Sequence, residues 1–247
     1  MIMNAGNIVI TGDTTVGEIV TLNLGKADVF KKHHIDFCCG GKKTLNQVCK
    51  NKTVTVDELI AELNIYNSGT NSNAQNFNEW KLDFLIDYII NTHHQYVKKN
   101  LPLITEYINK VAKVHGEEHI ELVTINELFM QAANELSAHI IKEENVLFPY
   151  IKELVNSPTT NQNATTSFGT IKTPIQMMED EHELVGNIFK TIKELSNDYK
   201  APVGACTTYK LAYHKLEEFE NDLHQHIHLE NNILFPKSIE LEKGSNS

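Results

Sequence analysis

The chain is poor in several things that mark other protein classes. Glycine (12) and proline (6) are scarce in its 247 residues, which suits a mainly helical protein. Basic residues are in deficit, with 22 Lys and Arg against 32 Asp and Glu and a formal net charge of −10. That balance argues against nucleic acid or an anionic membrane surface as the main partner. No apolar stretch approaches the roughly 20 residues of a membrane span. The opening residues, Met1 to Ile8, lack a basic segment followed by an apolar run, so no secretory signal is expected. Four cysteines are too few for a disulfide scaffold in a chain of this length, and their spacing matches no zinc motif. The expected location is the cytoplasm. With 41% hydrophobic residues, the chain can bury one good core and a small accessory unit.

What the chain does have is one stretch carried twice. The first copy is His139-Ile-Ile-Lys-Glu143-Glu-Asn-Val-Leu147-Phe148-Pro149, and the second is His226-Ile-His-Leu-Glu230-Asn-Asn-Ile-Leu234-Phe235-Pro236. Both read His-x-x-x-Glu, three further residues, then Leu-Phe-Pro. On a helix, positions i and i+4 lie one above the other, so each copy presents an imidazole and a carboxylate as a pair. Leu136 and Leu147 keep that register in one copy, and Leu223 and Leu234 in the other. The pairs therefore sit on the stripe that should face the core. Charged groups are almost never buried unless paired or bound to a metal, and two such pairs facing inward call for a metal.

Residues 1–65 read as a small helical domain. Thr15-Val-Gly-Glu18 and Thr55-Val-Asp-Glu58 both match the capping box that opens a helix. Between them lies Lys31-Lys-His33-His34-Ile-Asp36-Phe-Cys38-Cys39-Gly40-Gly41. Glycines at a turn would place the thiols of Cys38 and Cys39 on an exposed loop near Lys and His, where thiolates are favoured. The blander reading is a packing cysteine beside capping glycines. A bond between Cys38 and Cys39 would be strained. Residues 66–77 are mostly small, polar and without periodicity, the best linker candidate in the chain.

Residues 78–247 carry four helical patterns. The first spans about Asn78 to His115, with Ile86, Ile90, Val97, Leu101, Ile104, Ile108 and Val111 stepping by three or four, and His94 fills the gap in that stripe. Gly116 offers a stop. The second spans about Ile120 to Val155, and a polar loop, Asn156 to Thr173, follows it. Thr173-Pro174 reads as the start of the third, which continues to about Asn197 with His182 on its apolar stripe. The fourth spans about Cys206 to Leu241. Prolines 102, 149 and 236 predict kinks or early termination. His226 follows His139 by 87 positions and His182 follows His94 by 88, the mark of an internal duplication. Each half is a helical hairpin with one lone histidine and one His-x-x-x-Glu. Two hairpins make an all-α four-helix bundle.

Near two-fold symmetry then brings His94, His139, Glu143, His182, His226 and Glu230 to one level of the core. Four imidazoles and two carboxylates suit two metal ions at the separation of about 3.5–4 Å of two-metal sites, with positions left over for an oxo group or a small diatomic molecule. Imidazole suits iron, zinc and copper, and oxygen bridges with redox chemistry favour iron. His224 and His228 lie about 200° around the helix from His226 and are expected on the solvated face. His93, His115 and His119 stand as surface or supporting residues, and Glu144, Glu179 and Glu181 as carboxylates near the site.

The duplicated motif with the lone His94 and His182 resembles the hemerythrin-like domain. Cys38-Cys39-Gly40-Gly41 resembles the short domain fused to it in the Repair of Iron Centres proteins, the di-iron iron–sulfur cluster repair family. The likeness spans nearly the whole chain. It implies a hemerythrin-like four-helix bundle and a cytoplasmic protein with two non-haem iron ions in an oxo-bridged di-iron centre. The family's ligands carry over to His94, His139, Glu143, His182, His226 and Glu230, and its paired cysteines to Cys38 and Cys39, as carriers of iron or nitrosyl. The implied role is repair of iron–sulfur clusters damaged by nitric oxide or oxidants, by iron donation or nitric oxide removal. Damaged iron–sulfur proteins would be the partners, nitric oxide or oxygen the small ligands, with room for a homodimer. The alternatives are a sensor or reservoir for oxygen, nitric oxide or iron that performs no turnover, and a nitric oxide or peroxide reductase. Oxygen-carrying hemerythrins use five histidines, and His115 is the open candidate for a fifth here.

Overall fold

A computed structural model describes residues 9–66, 76–156 and 169–245. The linker stretch 67–75 and most of the polar loop, 157–168, lie outside the described residues. Regular structure among the described residues is helical, apart from one isolated bridge between Thr15 and Thr44. None of their helices is long and apolar enough to cross a membrane. Two compact units emerge: Met1–Lys81 with Ile227–Lys237, and Leu82–His226 with Ser238–Ser247.

The first unit holds α1 (Val16–Leu22), α2 (Ala27–Lys32), α3 (Leu45–Cys49) and α4 (Val56–Ile65). Three of the four open with a complete capping box: Thr15 with Glu18, Thr44 with Gln47 and Thr55 with Glu58. In each, the threonine hydroxyl accepts an amide of the first turn while the acidic or amide side chain accepts the cap's own N–H. These caps matter because helices this short do not persist alone in water. Tertiary burial does the rest: Val16, Ile19, Phe30, Leu45, Leu59 and Leu63 form the core. Helix α1 also packs against the turn Glu230–Leu234.

The second unit contains α5 (Leu82–Ile89), α6 (Gln95–His115), α7 (Glu121–Lys142), α8 (Phe148–Asn156) and α9 (Lys172–Leu195). It also holds most of α10 (Thr207–Leu229) and α11 (Phe235–Ser245). Helix α6 packs along α7, α7 along α9, and α5 on α8. One aromatic cluster ties the bundle together. The buried ring of Phe219 on α10 lies 5.6 Å from Phe189 of α9, 6.1 Å from Phe129 of α7 and 6.0 Å from Tyr96 of α6. Helix α6 ends at Gly116 as expected.

Helix α9 begins at Lys172 rather than Thr173, with Ile171 as its cap. The Ile171 amide donates to the Glu242 carboxylate at 2.9 Å, and the Thr170 hydroxyl donates to the same group at 2.7 Å. A carboxylate about 70 residues away thus does the capping, and Pro174 falls within the first turn, where a missing N–H costs nothing.

Candidate metal centre

The long helices do not stop at their prolines. They widen into single π-turns: Ile90–His94 between α5 and α6, Glu143–Leu147 between α7 and α8, and Glu230–Leu234 between α10 and α11. His94 closes the first, and Glu143 and Glu230 open the other two. In a regular helix, Pro149 would clash with the carbonyl of Asn145, and Pro236 with that of Asn232, four residues back. A turn carrying one extra residue relieves that clash, so α8 runs on to Asn156 and α11 to Ser245. Pro102 likewise sits inside α6 without ending it. Of the kinks or early termination expected at these three prolines, termination does not occur. Single π-turns gather at functional sites, and here each carries a candidate donor.

Five candidate donors of the second unit converge. Ligand atoms of His94, Glu143 and His226 lie within 4.8 Å of one another, as do those of His139, Glu143 and His182. Glu143 is common to both groups. All five residues are at most 2% exposed. The sixth expected residue, Glu230, is fully buried four positions beyond His226 on the continuing helix, repeating the spacing of His139 and Glu143.

Orientation shows what these nitrogens suit. The His94 Nδ1–H donates to Glu144 Oε1 at 2.9 Å, and the His139 Nδ1–H donates to Glu181 Oε2 at 2.8 Å. Each ring is thereby fixed in the tautomer whose Nε2 lone pair points inward. Both Nε2 atoms stand 3.3 Å from the same oxygen, Glu143 Oε2, and His139 Nε2 stands 3.0 Å from His182 Nε2. Lone pairs at such distances repel in a buried site unless a proton or cation lies between them. The donor set and its orientation therefore fit a metal, and a shared carboxylate between two imidazole groups fits two ions.

Outside the donors, each Nδ1 partner is itself held. Lys98 donates to both oxygens of Glu144 at 2.7 Å, and Lys142 pairs with Glu181. Burial alone would raise the Glu181 carboxyl, but bonds from His139 and Lys142 outweigh it and hold it down at about 2. Glu144 is lowered in the same way: burial opposes, and bonds from Lys98 and His94 prevail. Both carboxylates thus stay ionised and keep the imidazoles oriented. Replacing Glu144 or Glu181 with glutamine is expected to weaken metal retention by about 10–100-fold, checked by competition with a chelator.

The remaining histidines separate clearly. His93 is buried, donates from Nδ1 to Asp222 Oδ1 at 3.0 Å, and stacks on His226 with rings 5.5 Å apart and 3° from parallel. It braces a donor rather than facing solvent. His115 pairs with the Cys206 thiol at 3.3 Å and is in neither donor group. His119 pairs with Glu121 at 3.0 Å. His228 departs from its expected solvated face. It belongs to the first unit and is 1% exposed, against the ring of Phe37 and beside Asn232. Burial pushes its pKa down to about 4, with a backbone contact at Phe37 opposing.

The paired cysteines also differ from the expectation of exposed thiolates near Lys and His. Cys38 is buried and Cys39 half-buried. Lys32 and His33 are taken up by Glu62, and the neighbour of the thiols is Asp36 instead. Its Oδ1 accepts the Cys38 amide (2.9 Å), the Cys39 amide (3.0 Å) and the Cys38 thiol (3.1 Å), and its Oδ2 accepts the Gly40 amide (2.9 Å). The hydrogen bond to Cys39, burial, and the charges of Cys39 and Asp36 push the Cys38 thiol well up. The two glycines are required by close approach. A Cβ at Gly40 would stand 2.6 Å from the Asp36 backbone oxygen, and one at Gly41 only 2.1 Å from Asn232 Oδ1. Asn232 Nδ2 donates to the Cys38 carbonyl at 3.1 Å. Gly41→Ala is therefore expected to destabilise the first unit by about 1–3 kcal/mol, with faster amide exchange over residues 36–43.

Comparison with known proteins covers both parts of the chain. Residues 12–66 match the family described as ScdA_N, a domain of unknown function, and residues 85–238 match the hemerythrin HHE cation binding domain. An iron-sulfur cluster repair protein ScdA of Staphylococcus haemolyticus is 35% identical over 230 residues, covering 92% of this chain and 99% of that protein. An iron-sulfur cluster repair protein YtfE of Pectobacterium atrosepticum is 35% identical over 227 residues, 92% of this chain and 97% of the other. A YtfE of Yersinia pseudotuberculosis is 34% identical over 211 residues, 85% and 90% respectively.

Proposed function

Because this chain belongs to the iron–sulfur cluster repair family built on a hemerythrin HHE domain, we propose that it restores iron–sulfur clusters damaged by nitric oxide or oxidants. The observation that carries this reading is that relatives named for cluster repair align with the dithiol unit and the donor bundle together.

In this reading His94, His139, Glu143, His182, His226 and Glu230 would hold two non-haem iron ions, with Glu143 contributed by the first copy of the motif and Glu230 by the second. When bound, the ions supply redox and Lewis-acid chemistry toward a small diatomic ligand. The chain's own part is orientation and exclusion of water. Glu144 and Glu181 fix the imidazoles of His94 and His139, Lys98 and Lys142 fix those carboxylates, and the surrounding apolar residues keep the donors dry. Cys38 and Cys39 act as transient iron or nitrosyl carriers between the centre and a damaged iron–sulfur protein.

The test is the double variant Cys38→Ser/Cys39→Ser in a purified assay of cluster restoration. Repair should be lost while the metal of the bundle stays in place. Unchanged repair would remove the thiols from the mechanism. Anaerobic titration of the reduced protein with nitric oxide, in the presence of excess chemical reductant to supply two electrons for each nitrous oxide formed, separates turnover from storage. Nitrous oxide released over repeated additions supports nitric oxide removal, whereas uptake that stops at stoichiometry supports a reservoir.

A further inference from the structure

The carboxylate of Asp36 is the least expected feature of the dithiol loop. Its two oxygens accept three backbone amides and one thiol, which fixes its position relative to both sulfurs. Ligand atoms of Asp36, Cys38 and Cys39 all lie within 4.8 Å of one another. The sulfurs stand 3.9 Å apart. Two thiolates on a tetrahedral ion, with metal–sulfur bonds of about 2.3 Å, define an edge of about 3.8 Å. The observed separation therefore suits one shared ion, and it is far from the roughly 2.05 Å of a disulfide. Asp36 is exposed and Cys39 half-buried, so the triad can be reached from solvent. The loop is also held from behind by Asn232 at the Cys38 carbonyl and by the close approach at Gly41.

We propose that Asp36, Cys38 and Cys39 form a three-donor site for a thiophilic divalent cation, distinct from the histidine–glutamate donors of the bundle. Binding forms two metal–sulfur bonds and one metal–oxygen bond. The two thiol protons pass to buffer, and a water or a client's ligand completes the tetrahedron. Asp36 Oδ1 now accepts the Cys38 thiol proton, and on binding it faces the cation that replaces that proton. A carboxylate beside two thiolates would be repulsive without a cation and becomes favourable with one. The purpose assigned to the site, handling of iron during repair, rests on the function proposed above; the binding itself does not.

Cadmium is the probe, because thiolate-to-cadmium charge transfer in the ultraviolet is silent for imidazole and carboxylate ligands. The full chain, reduced and with its bundle centre metal-loaded, is titrated in a Cys206→Ser background to remove the exposed thiol paired with His115. One equivalent of cadmium should saturate a band that is halved in Cys38→Ser or Cys39→Ser and absent in the double variant. Asp36→Asn should weaken binding about tenfold. The cysteine variants leave the Asp36–amide contacts in place, so they report even if Asp36→Asn disturbs the loop. A band that survives the double variant, or one that never forms, overturns the site; unchanged affinity in Asp36→Asn overturns the three-donor assignment. The titration involves no repair assay. Binding without an effect of the double variant on repair would sink the repair role alone, and repair without binding would sink the site alone.

Discussion

Replacing Glu143 with alanine is expected to empty both metal positions of the bundle, not one. Its carboxylate belongs to the group of His94 and His226 and also to the group of His139 and His182. The inward Nε2 atoms of His94 and His139 both face its Oε2 at 3.3 Å. Without that negative charge, Glu230 is the one carboxylate left among the six proposed donors, and the neutral imidazoles compensate the charge of two divalent ions poorly in a site that excludes water. His94→Ala, by contrast, removes a donor from one group only, and about half of the metal should survive it under the two-ion arrangement. Metal analysis of the two variants after gel filtration, with circular dichroism to confirm the helices, checks the contrast. Equal losses in both variants would mean that the carboxylate is not shared.

Phe219→Ala should produce the largest loss of bundle stability, about 3–5 kcal/mol by analogy with other buried phenylalanines. The ring is 1% exposed and touches Phe129, Phe189 and Tyr96 on three other helices. No single neighbour can move into the space without leaving its own contacts, so the cavity should remain largely open. Thermal unfolding followed at the helical signal should show a midpoint lower by roughly 10 °C. Phe219→Leu, which keeps most of the volume, should cost markedly less. A change of less than about 1 kcal/mol for Phe219→Ala would show that the four helices are not joined through this residue.

The candidate donors are legible because a duplicated spacing and a core-facing register are properties of sequence alone. His94 and His182 sit where an apolar residue is due, and His139 with Glu143 repeats in His226 with Glu230. The π-turns are not legible in the sequence, because a period of 3.6 residues treats the helix as uniform. The signal present was a proline six residues after each glutamate, which demands relief from the clash four residues back. The selection of Glu144 and Glu181 over Glu179 depends on which helices meet, so no spacing within one helix could make it. His228 shows the same limit from the other side. A helical wheel places it away from His226, but what covers that face is Phe37, far off in sequence. At the cysteines, Lys and His were close in sequence and Asp36 closer still. Only the fold shows that Glu62 takes Lys32 and His33 while Asp36 takes the loop. The third capping box, Thr44-Leu-Asn-Gln47, was open to reading and follows the same pattern as the other two.

The central claim is that a doubled hairpin assembles a buried dinuclear centre, and metal analysis combined with an optical spectrum of the isolated protein tests it most directly. The account predicts about two iron ions per chain with the near-ultraviolet absorption of an oxygen-bridged pair, both lost together in Glu143→Ala. A correctly folded protein that binds a single ion, or that takes up no iron when it is supplied, would contradict it.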